Sequence, residues 1–128
     1  MSLGQLLSIV EMGGYPDFKD LYKNKGFQID TASSMRKAIK ILKKSKPDII
    51  VAEFNFQSDF RDRTSSLESL MATIQGYPET RVIVFYESEQ RAQLERLLSV
   101  FDVYQVIPFP VDENLLAETI EQIVQEIK

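Results

Sequence analysis

One stretch of the chain decides the fold: residues 47–54, with the sequence PDIIVAEF. A proline and an acid lead into three β-branched residues and an alanine, and the apolar run stops at the carboxylate of Glu53. A short apolar run between chain breakers is typical of a strand that is buried on both faces of a parallel sheet. In open α/β sheets, ligands bind outside the carboxyl ends of such strands. Glu53 is therefore the first residue to consider in a functional site.

Strand-like and helix-like patterns alternate along the rest of the chain. Strands are predicted at 6–10, 27–32, 48–54, 81–86 and 103–107, and a helical pattern follows each of them. Five such pairs predict an α/β fold, namely a three-layer, doubly wound, five-stranded parallel sheet with five helices in the flavodoxin-like order 2-1-3-4-5. Residues 4–128 are predicted to form a single domain, and residues 1–3 resemble an added expression leader.

Three of the predicted helices carry clear boundary or burial signals. Ser33 or Ser34 fits the N-cap of the second helix, and the fourth helix is predicted to run from Glu87 to Val100. The last helix begins at about Asp112. Its predicted inward side consists of apolar residues and one threonine at helical spacing: Leu115, Leu116, Thr119, Ile120, Val124 and Ile127.

The chain contains neither cysteine nor histidine. The absence of cysteine excludes disulfides and thiolate chemistry, and the absence of histidine removes the commonest general base and transition-metal ligand. Most hydrolase and zinc mechanisms are thereby excluded, and the protein is predicted not to be an enzyme. No apolar run approaches the length of a membrane span and no signal-peptide pattern is present, so the cytoplasm is expected and a membrane partner is not.

Charge is distributed unevenly along the chain, whose net charge is −4. Residues 1–50 hold nine Lys/Arg against five Asp/Glu, whereas residues 51–128 hold six against fourteen. A basic cluster on the second predicted helix contains Lys37, Lys40, Lys43, Lys44 and Lys46. Such a cluster can contact an acidic partner surface or nucleic acid, although a solvated helix face is the ordinary explanation. For the chain as a whole, a protein partner of a signalling pathway is expected and nucleic acid is not.

Four motifs occur in the order and spacing of one known family. They are IVE at 9–11, PDIIVAE at 47–53, VIVF at 82–85 and YQVIPF at 104–109. The last is similar to the family's Tyr-x-x-Lys-Pro-Phe. Over nearly its whole length the chain resembles the receiver domain of two-component response regulators, the chemotaxis-regulator-like family. The resemblance implies the flavodoxin-like fold and a role in phosphorelay signal transduction.

Receivers of this family accept a phosphoryl group on an aspartate, beside Mg²⁺ and a lysine that neutralise the developing charge. The resemblance assigns the equivalent positions in this sequence. They are Glu53 (phosphoacceptor), Glu11 and Met12 (acidic pocket), Tyr86 and Tyr104 (switch positions), Ile107 (lysine) and Pro108 (cis-proline candidate).

Most of these positions depart from the family's chemistry. The thioether of Met12 is a poor ligand for Mg²⁺, and Tyr86 is expected to crowd the space that a phosphoryl group needs. No lysine occurs between Lys46 and Lys128, so the catalytic lysine is missing whether its position is Ile107 or Phe109. We interpret the chain as a degenerate receiver, or pseudo-receiver.

The expected function is a non-catalytic signal-transduction module of two-component type. It would bind a protein partner, or a second copy of itself, through the face formed by the fourth helix, fifth strand and fifth helix, independently of phosphorylation. No cofactor or metal is expected. The alternatives are an atypical Mg²⁺-dependent receiver that accepts a phosphoryl group on Glu53, with Glu11 and Glu53 as weak metal ligands, and a nucleotide- or flavin-binding domain that uses the turn at Gly13-Gly14.

Overall fold

The computed structural model describes residues 4–10, 18–54 and 66–127. Their strands are β1 (Gly4–Ile9), β2 (Phe27–Ala32), β3 (Ile49–Glu53), β4 (Arg81–Tyr86) and β5 (Gln105–Pro108). They form one parallel sheet in the order β2-β1-β3-β4-β5, which confirms the predicted flavodoxin-like order. The predicted leader at 1–3 and the turn at Gly13-Gly14 lie outside the described residues.

Five helices cover the two faces of this sheet. They are α1 (Lys19–Asn24), α2 (Met35–Leu42), α3 (Ser66–Ile74), α4 (Arg91–Leu98) and α5 (Glu113–Ile127). Buried residues of α2, α3 and α4 pack in one apolar cluster, whereas those of α1 and α5 pack in a second. The two clusters lie on opposite faces because alternate residues of each strand point in opposite directions. The predicted three-layer architecture is confirmed.

The central strand β3 is buried along its whole length, as the apolar run predicts. Ile50 and Ala52 point to the layer of α2, α3 and α4, whereas Ile49 and Val51 point to the layer of α1 and α5. Glu53 follows Val51 by two residues, so its side chain faces the layer of α1 and α5 as well. This alternation decides which helices border the candidate site.

Two helix starts are capped by the expected side chains. The hydroxyl of Ser34, and not of Ser33, accepts a hydrogen bond from the backbone N–H of Lys37 at 3.2 Å. At the start of α5, Asp112 Oδ1 accepts from the backbone N–H of Asn114 at 2.9 Å. Both caps satisfy backbone donors that have no partner within the helix.

The boundaries of α4 and the buried side of α5 differ from the prediction. The helix predicted from Glu87 to Val100 begins with a 3-10 turn at Ser88–Gln90, and α4 then ends at Leu98. Short 3-10 turns are frequent at helix starts, where hydrogen bonds between residues three apart pair backbone groups that the α-helix leaves unpaired. In α5, Ile123 is fully buried although the predicted inward side omits it. No helix in the described ranges combines the length and apolar content needed to cross a membrane.

Candidate functional site

Three side chains form a row across the carboxyl-terminal edge of the sheet. Glu53 on β3 pairs in register with Phe85 on β4, and Phe85 pairs with Ile107 on β5. Because paired residues of parallel strands point to the same face, all three side chains face the layer of α1 and α5. Two strand spacings, about 10 Å, separate Glu53 from Ile107. Phe85 therefore stands between the predicted phosphoacceptor position and the predicted lysine position.

A cavity of about 220 Å³ opens beside Glu53, between the strand ends and α1. Phe18, just before α1, closes one side by an edge-to-face contact with Phe85, with ring centroids 6.0 Å apart and an interplanar angle of 71°. The described lining of the cavity is mainly aromatic and aliphatic, with three hydroxyl groups and two charges: Ser8, Ile9, Val10, Phe18, Lys19, Tyr22, Thr31, Val51, Glu53 and Phe85. The predicted position of a site at the end of β3 thus coincides with a concave surface.

Glu53 is the most unusual residue in this cavity because its side chain is only 3% exposed. Burying a charged carboxylate is costly unless nearby charges and hydrogen bonds compensate it. Lys19, at the first turn of α1, lines the same cavity and brings a positive charge to it. The cavity therefore combines a buried acid and a more exposed base within walls that are otherwise largely apolar.

The switch position Tyr86 lies on the other face of the sheet. Its ring belongs to the cluster of α2, α3 and α4, and its hydroxyl accepts a hydrogen bond from Nη1 of Arg91 at 3.0 Å. Arg91 also stacks on the ring, with its guanidinium carbon 5.3 Å from the centroid, and forms an ion pair with Glu95 at 2.8 Å. The expectation that Tyr86 crowds the space beside Glu53 is wrong, because Phe85 occupies that side of β4.

The second switch position, Tyr104, lies three residues before Ile107 and so about 10 Å from the Glu53 edge of the sheet. Its hydroxyl donates a hydrogen bond to Oε2 of Glu126 on α5 at 2.9 Å. The other oxygen of Glu126 accepts from Nε of Arg81 at 3.0 Å. Glu126 thus joins the start of β4, the residue before β5 and the end of α5.

The environment of Tyr104 raises the pKa of its phenol above the ordinary value of 10.0, first through burial and then through the hydrogen bond to Glu126. The neutral phenol therefore contributes stability that is complete below the ordinary pKa and is lost as the pH rises through the folded-state pKa. We expect Tyr104→Phe to remove a late-ionising component from the alkaline absorbance titration of the folded protein. Loss of a component that ionises early in the titration would contradict the raised pKa of Tyr104. Tyr77→Phe is the matched control, because it also replaces one tyrosine by phenylalanine.

The cis peptide bond of this segment lies between Phe109 and Pro110, not at the predicted position of Pro108. Pro108 ends β5 and is paired with Tyr86. The carbonyl of Tyr86 accepts a hydrogen bond from the N–H of Phe109 at 2.8 Å, which is the ordinary parallel pattern and does not need the N–H that proline lacks. The residue before the cis proline is therefore Phe109, and the lysine is missing in either register.

Comparison with solved structures finds the same fold in proteins of low sequence identity. The two-component transcriptional regulator AraC from Clostridium phytofermentans ISDg is 18% identical, with a TM-score of 0.73 over 96% of this chain and 94% of that chain. A response regulator receiver domain protein from Clostridium thermocellum is 16% identical, with a TM-score of 0.75 over 98% and 96%. The chain has the receiver fold.

A third structure agrees, although sequence comparison alone finds no relative. The signal receiver domain of an HD domain-containing protein from Pseudomonas fluorescens Pf-5 is 15% identical, with a TM-score of 0.74 over 96% of this chain and 95% of that chain. No protein-family model matches the sequence, and no curated protein matches it. At this low sequence identity the structural similarity establishes the receiver fold but not the function.

The receiver fold raises the question of whether this edge fits Mg²⁺, which needs several oxygen ligands in a near-octahedral arrangement. In the described part of the cavity lining, Glu53 is the one carboxylate, and Lys19 brings a competing positive charge. No group of three acidic ligands occurs within residues 4–10, 18–54 and 66–127. Glu11 and Met12, the predicted acidic-pocket positions, lie outside those residues. The described side chains do not fit the ion.

Phe85 and Lys19 are two of the cavity residues that the sequence analysis does not single out as site residues. The continuous apolar run of β4 does not reveal which of two neighbouring aromatic residues faces which layer. Lys19 has no sequence signal of its own, because its position depends on where α1 begins relative to the end of β1. Phe85 could have been found by following the alternation of side chains from Glu53 to β4, once the register in which β3 and β4 pair is known.

Proposed function

We propose that the chain is a non-catalytic signal-transduction module that retains the receiver fold without the receiver's phosphoryl chemistry. The observation that carries the proposal is the row of Glu53, Phe85 and Ile107 across three strands. A developing phosphoryl charge at Glu53 would meet an aromatic ring and an aliphatic side chain where charge neutralisation is required. The solved receiver structures support a role of the two-component type.

The proposed interaction surface is the face formed by α4, β5 and α5, which we assign to a protein partner or a second copy of the chain. Exposed charges of both signs lie on α4, where Arg91 and Glu95 form an ion pair and Arg96 is exposed. Phe109, just beyond β5, is 37% exposed and offers an aromatic contact at the end of this face. Aromatic and arginine side chains are enriched at protein interfaces, which suits this assignment.

The cavity beside Glu53 favours one alternative, a small-ligand site. Its volume of about 220 Å³ is below the usual range of about 300–1,000 Å³ for cofactor and drug-sized ligands, so a flavin or nucleotide does not suit it. A compact ligand that carries both charges would suit Glu53 and Lys19 better. The second alternative, phosphoryl transfer to Glu53 with Mg²⁺, would have to rely on Glu11.

A two-dimensional amide NMR titration with Mg²⁺, followed by beryllium fluoride as a phosphoryl mimic, tests phosphorylation independence. We expect the signals of Phe85 and Ile107 to stay unchanged, because the described cavity offers one carboxylate and no lysine on β5. The matched variant Glu53→Asp, which restores the family's acceptor, is expected to stay equally silent.

Saturable shifts in the unmodified protein that extend to Tyr104 would show that it is an active receiver, and the proposal would fail. A response confined to Glu53→Asp would assign the lost chemistry to the longer glutamate side chain and not to the missing lysine. The same spectra, recorded with added amino acids or other small zwitterions, would detect a ligand in the cavity.

A further inference from the structure

Helix α2 and the turn after it carry an exposed row of positive charges. We define the α2 strip as six exposed side chains between positions 36 and 46: Arg36, Lys37, Lys40, Lys43, Lys44 and Lys46. No aspartate or glutamate occurs from residue 31 to residue 47. The strip is thus a continuous cationic surface within a protein whose net charge is negative.

Among the residues that the structure describes, no ion pair compensates the charges of the α2 strip. The ion pairs found within the described ranges join Lys25 to Glu121, Arg81 to Glu126 and Arg91 to Glu95, all on other elements. Within the strip, Lys37 donates a hydrogen bond to Ser33 and Lys46 lies 5.2 Å from the ring of Tyr77. Neither contact neutralises charge.

The spacing of the strip costs the isolated helix stability. Arg36 and Lys40 are four residues apart and Lys37 and Lys40 are three apart, where like charges meet on one helix face and are destabilising. Acids at these positions would have stabilised α2, yet the sequence has none. A surface that keeps such repulsion is suited to a partner that supplies the opposite charge.

The strip also contains an apolar centre. Arg36, Lys40 and Lys43 line a shallow groove together with Ile39, which is only partly buried against the core. Cations around an aliphatic side chain match a partner segment in which acidic residues flank an apolar one. Phosphate backbones and lipid headgroups would use the charges but would leave Ile39 without a partner.

We propose that the α2 strip binds an acidic protein segment that inserts one apolar side chain against Ile39. This site is distinct from the surface of the proposed function, because α2 contacts β1 and β2 at one end of the strand order, whereas β5 lies at the other end. The net charge of −4 opposes a long polyanion such as nucleic acid, whereas a short acidic segment can contact the strip alone. The eight residues of α2 extend about 12 Å, enough for about two helical turns of a partner.

The test uses the full chain and a fluorescein-labelled peptide in which glutamates flank leucines at helical spacing. Binding is measured by fluorescence anisotropy at low and at physiological salt. We expect saturable binding that weakens as salt rises, and about a tenfold or greater loss of affinity for Lys40→Glu/Lys43→Glu. A peptide with glutamine in place of leucine is expected to bind more weakly, because it lacks the apolar contact with Ile39.

The matched control is Lys23→Glu/Asn24→Glu/Gln28→Glu, which makes the same change in net charge at exposed positions outside the strip and outside α4, β5 and α5. We expect it to bind the peptide within about threefold of the unmodified protein. An equal loss in the strip variant and in this control, or the absence of saturable binding at low salt, would overturn the proposal. So would tighter binding to duplex DNA or to phosphatidylserine vesicles than to the peptide. None of these outcomes depends on whether Glu53 is phosphorylated.

Discussion

Replacement of Ile83 by alanine is expected to lower the free energy of unfolding by about 3–4 kcal/mol. Ile83 is fully buried at the middle of β4, where it pairs with Val51 on one side and Gln105 on the other. Its side chain packs in the cluster that contains the buried residues of α5. Removing the outer carbons of the Ile83 side chain leaves a void, because β4 is held on both sides by paired strands and cannot move to fill it. The free energy of the empty cavity then adds to the free energy lost with the buried apolar surface.

Urea unfolding followed by circular dichroism measures this effect. The matched control is Val100→Ala, since Val100 is 68% exposed and its truncation should change the free energy of unfolding by less than about 0.5 kcal/mol. A loss below about 1 kcal/mol for Ile83→Ala would mean that the α5 layer is not packed against β4 as described.

Glu53→Lys is expected to be similarly damaging, with a loss of about 3–5 kcal/mol in the free energy of unfolding. The side chain at position 53 is almost fully buried and shares its cavity with Lys19. The new ammonium would be confined beside a like charge between aromatic walls, and its hydration would not be replaced. Glu53→Gln, which keeps the shape and removes the charge, is expected to stay within about 1.5 kcal/mol of the unmodified protein.

The two variants are compared in the same urea titration, and the salt dependence separates charge from shape. High salt should recover little of the loss in Glu53→Lys because buried charges are poorly screened. Equal losses for Glu53→Lys and Glu53→Gln would assign the effect to a specific hydrogen bond of the carboxylate. Two unaffected variants would mean that position 53 is open to water.

Much of the fold can be predicted because breakers and apolar runs coincide with the strands. The predicted boundaries of β2 at 27–32 and of β4 at 81–86 agree with the structure. Gly26 precedes β2 and the charged residue Glu87 follows β4, so both boundaries have a local signal. The cap of α5 at Asp112 is likewise a local signal, because the side chain and the N–H groups that it accepts from are close in sequence.

The site is harder to predict because it depends on direction and register rather than on residue type. Tyr86 and Phe85 are adjacent and aromatic, and only the pairing of β3 with β4 reveals that Phe85 faces Glu53. Two X-Pro bonds follow each other at 107–110, and a sequence motif cannot determine which one is cis. The contribution of Lys19 requires the position of α1 over the sheet, which no local pattern specifies.

The outer strands of the sheet bear on how the protein behaves at high concentration. Unpaired strand edges are templates for adding further strands, and natural sheets limit this with short, charged or proline-containing edges. Here β5 has four residues and ends at Pro108, whereas β2 exposes Gln28 and Asp30. Both edges are therefore poor templates, and the folded protein should resist growth into fibrils through its own sheet.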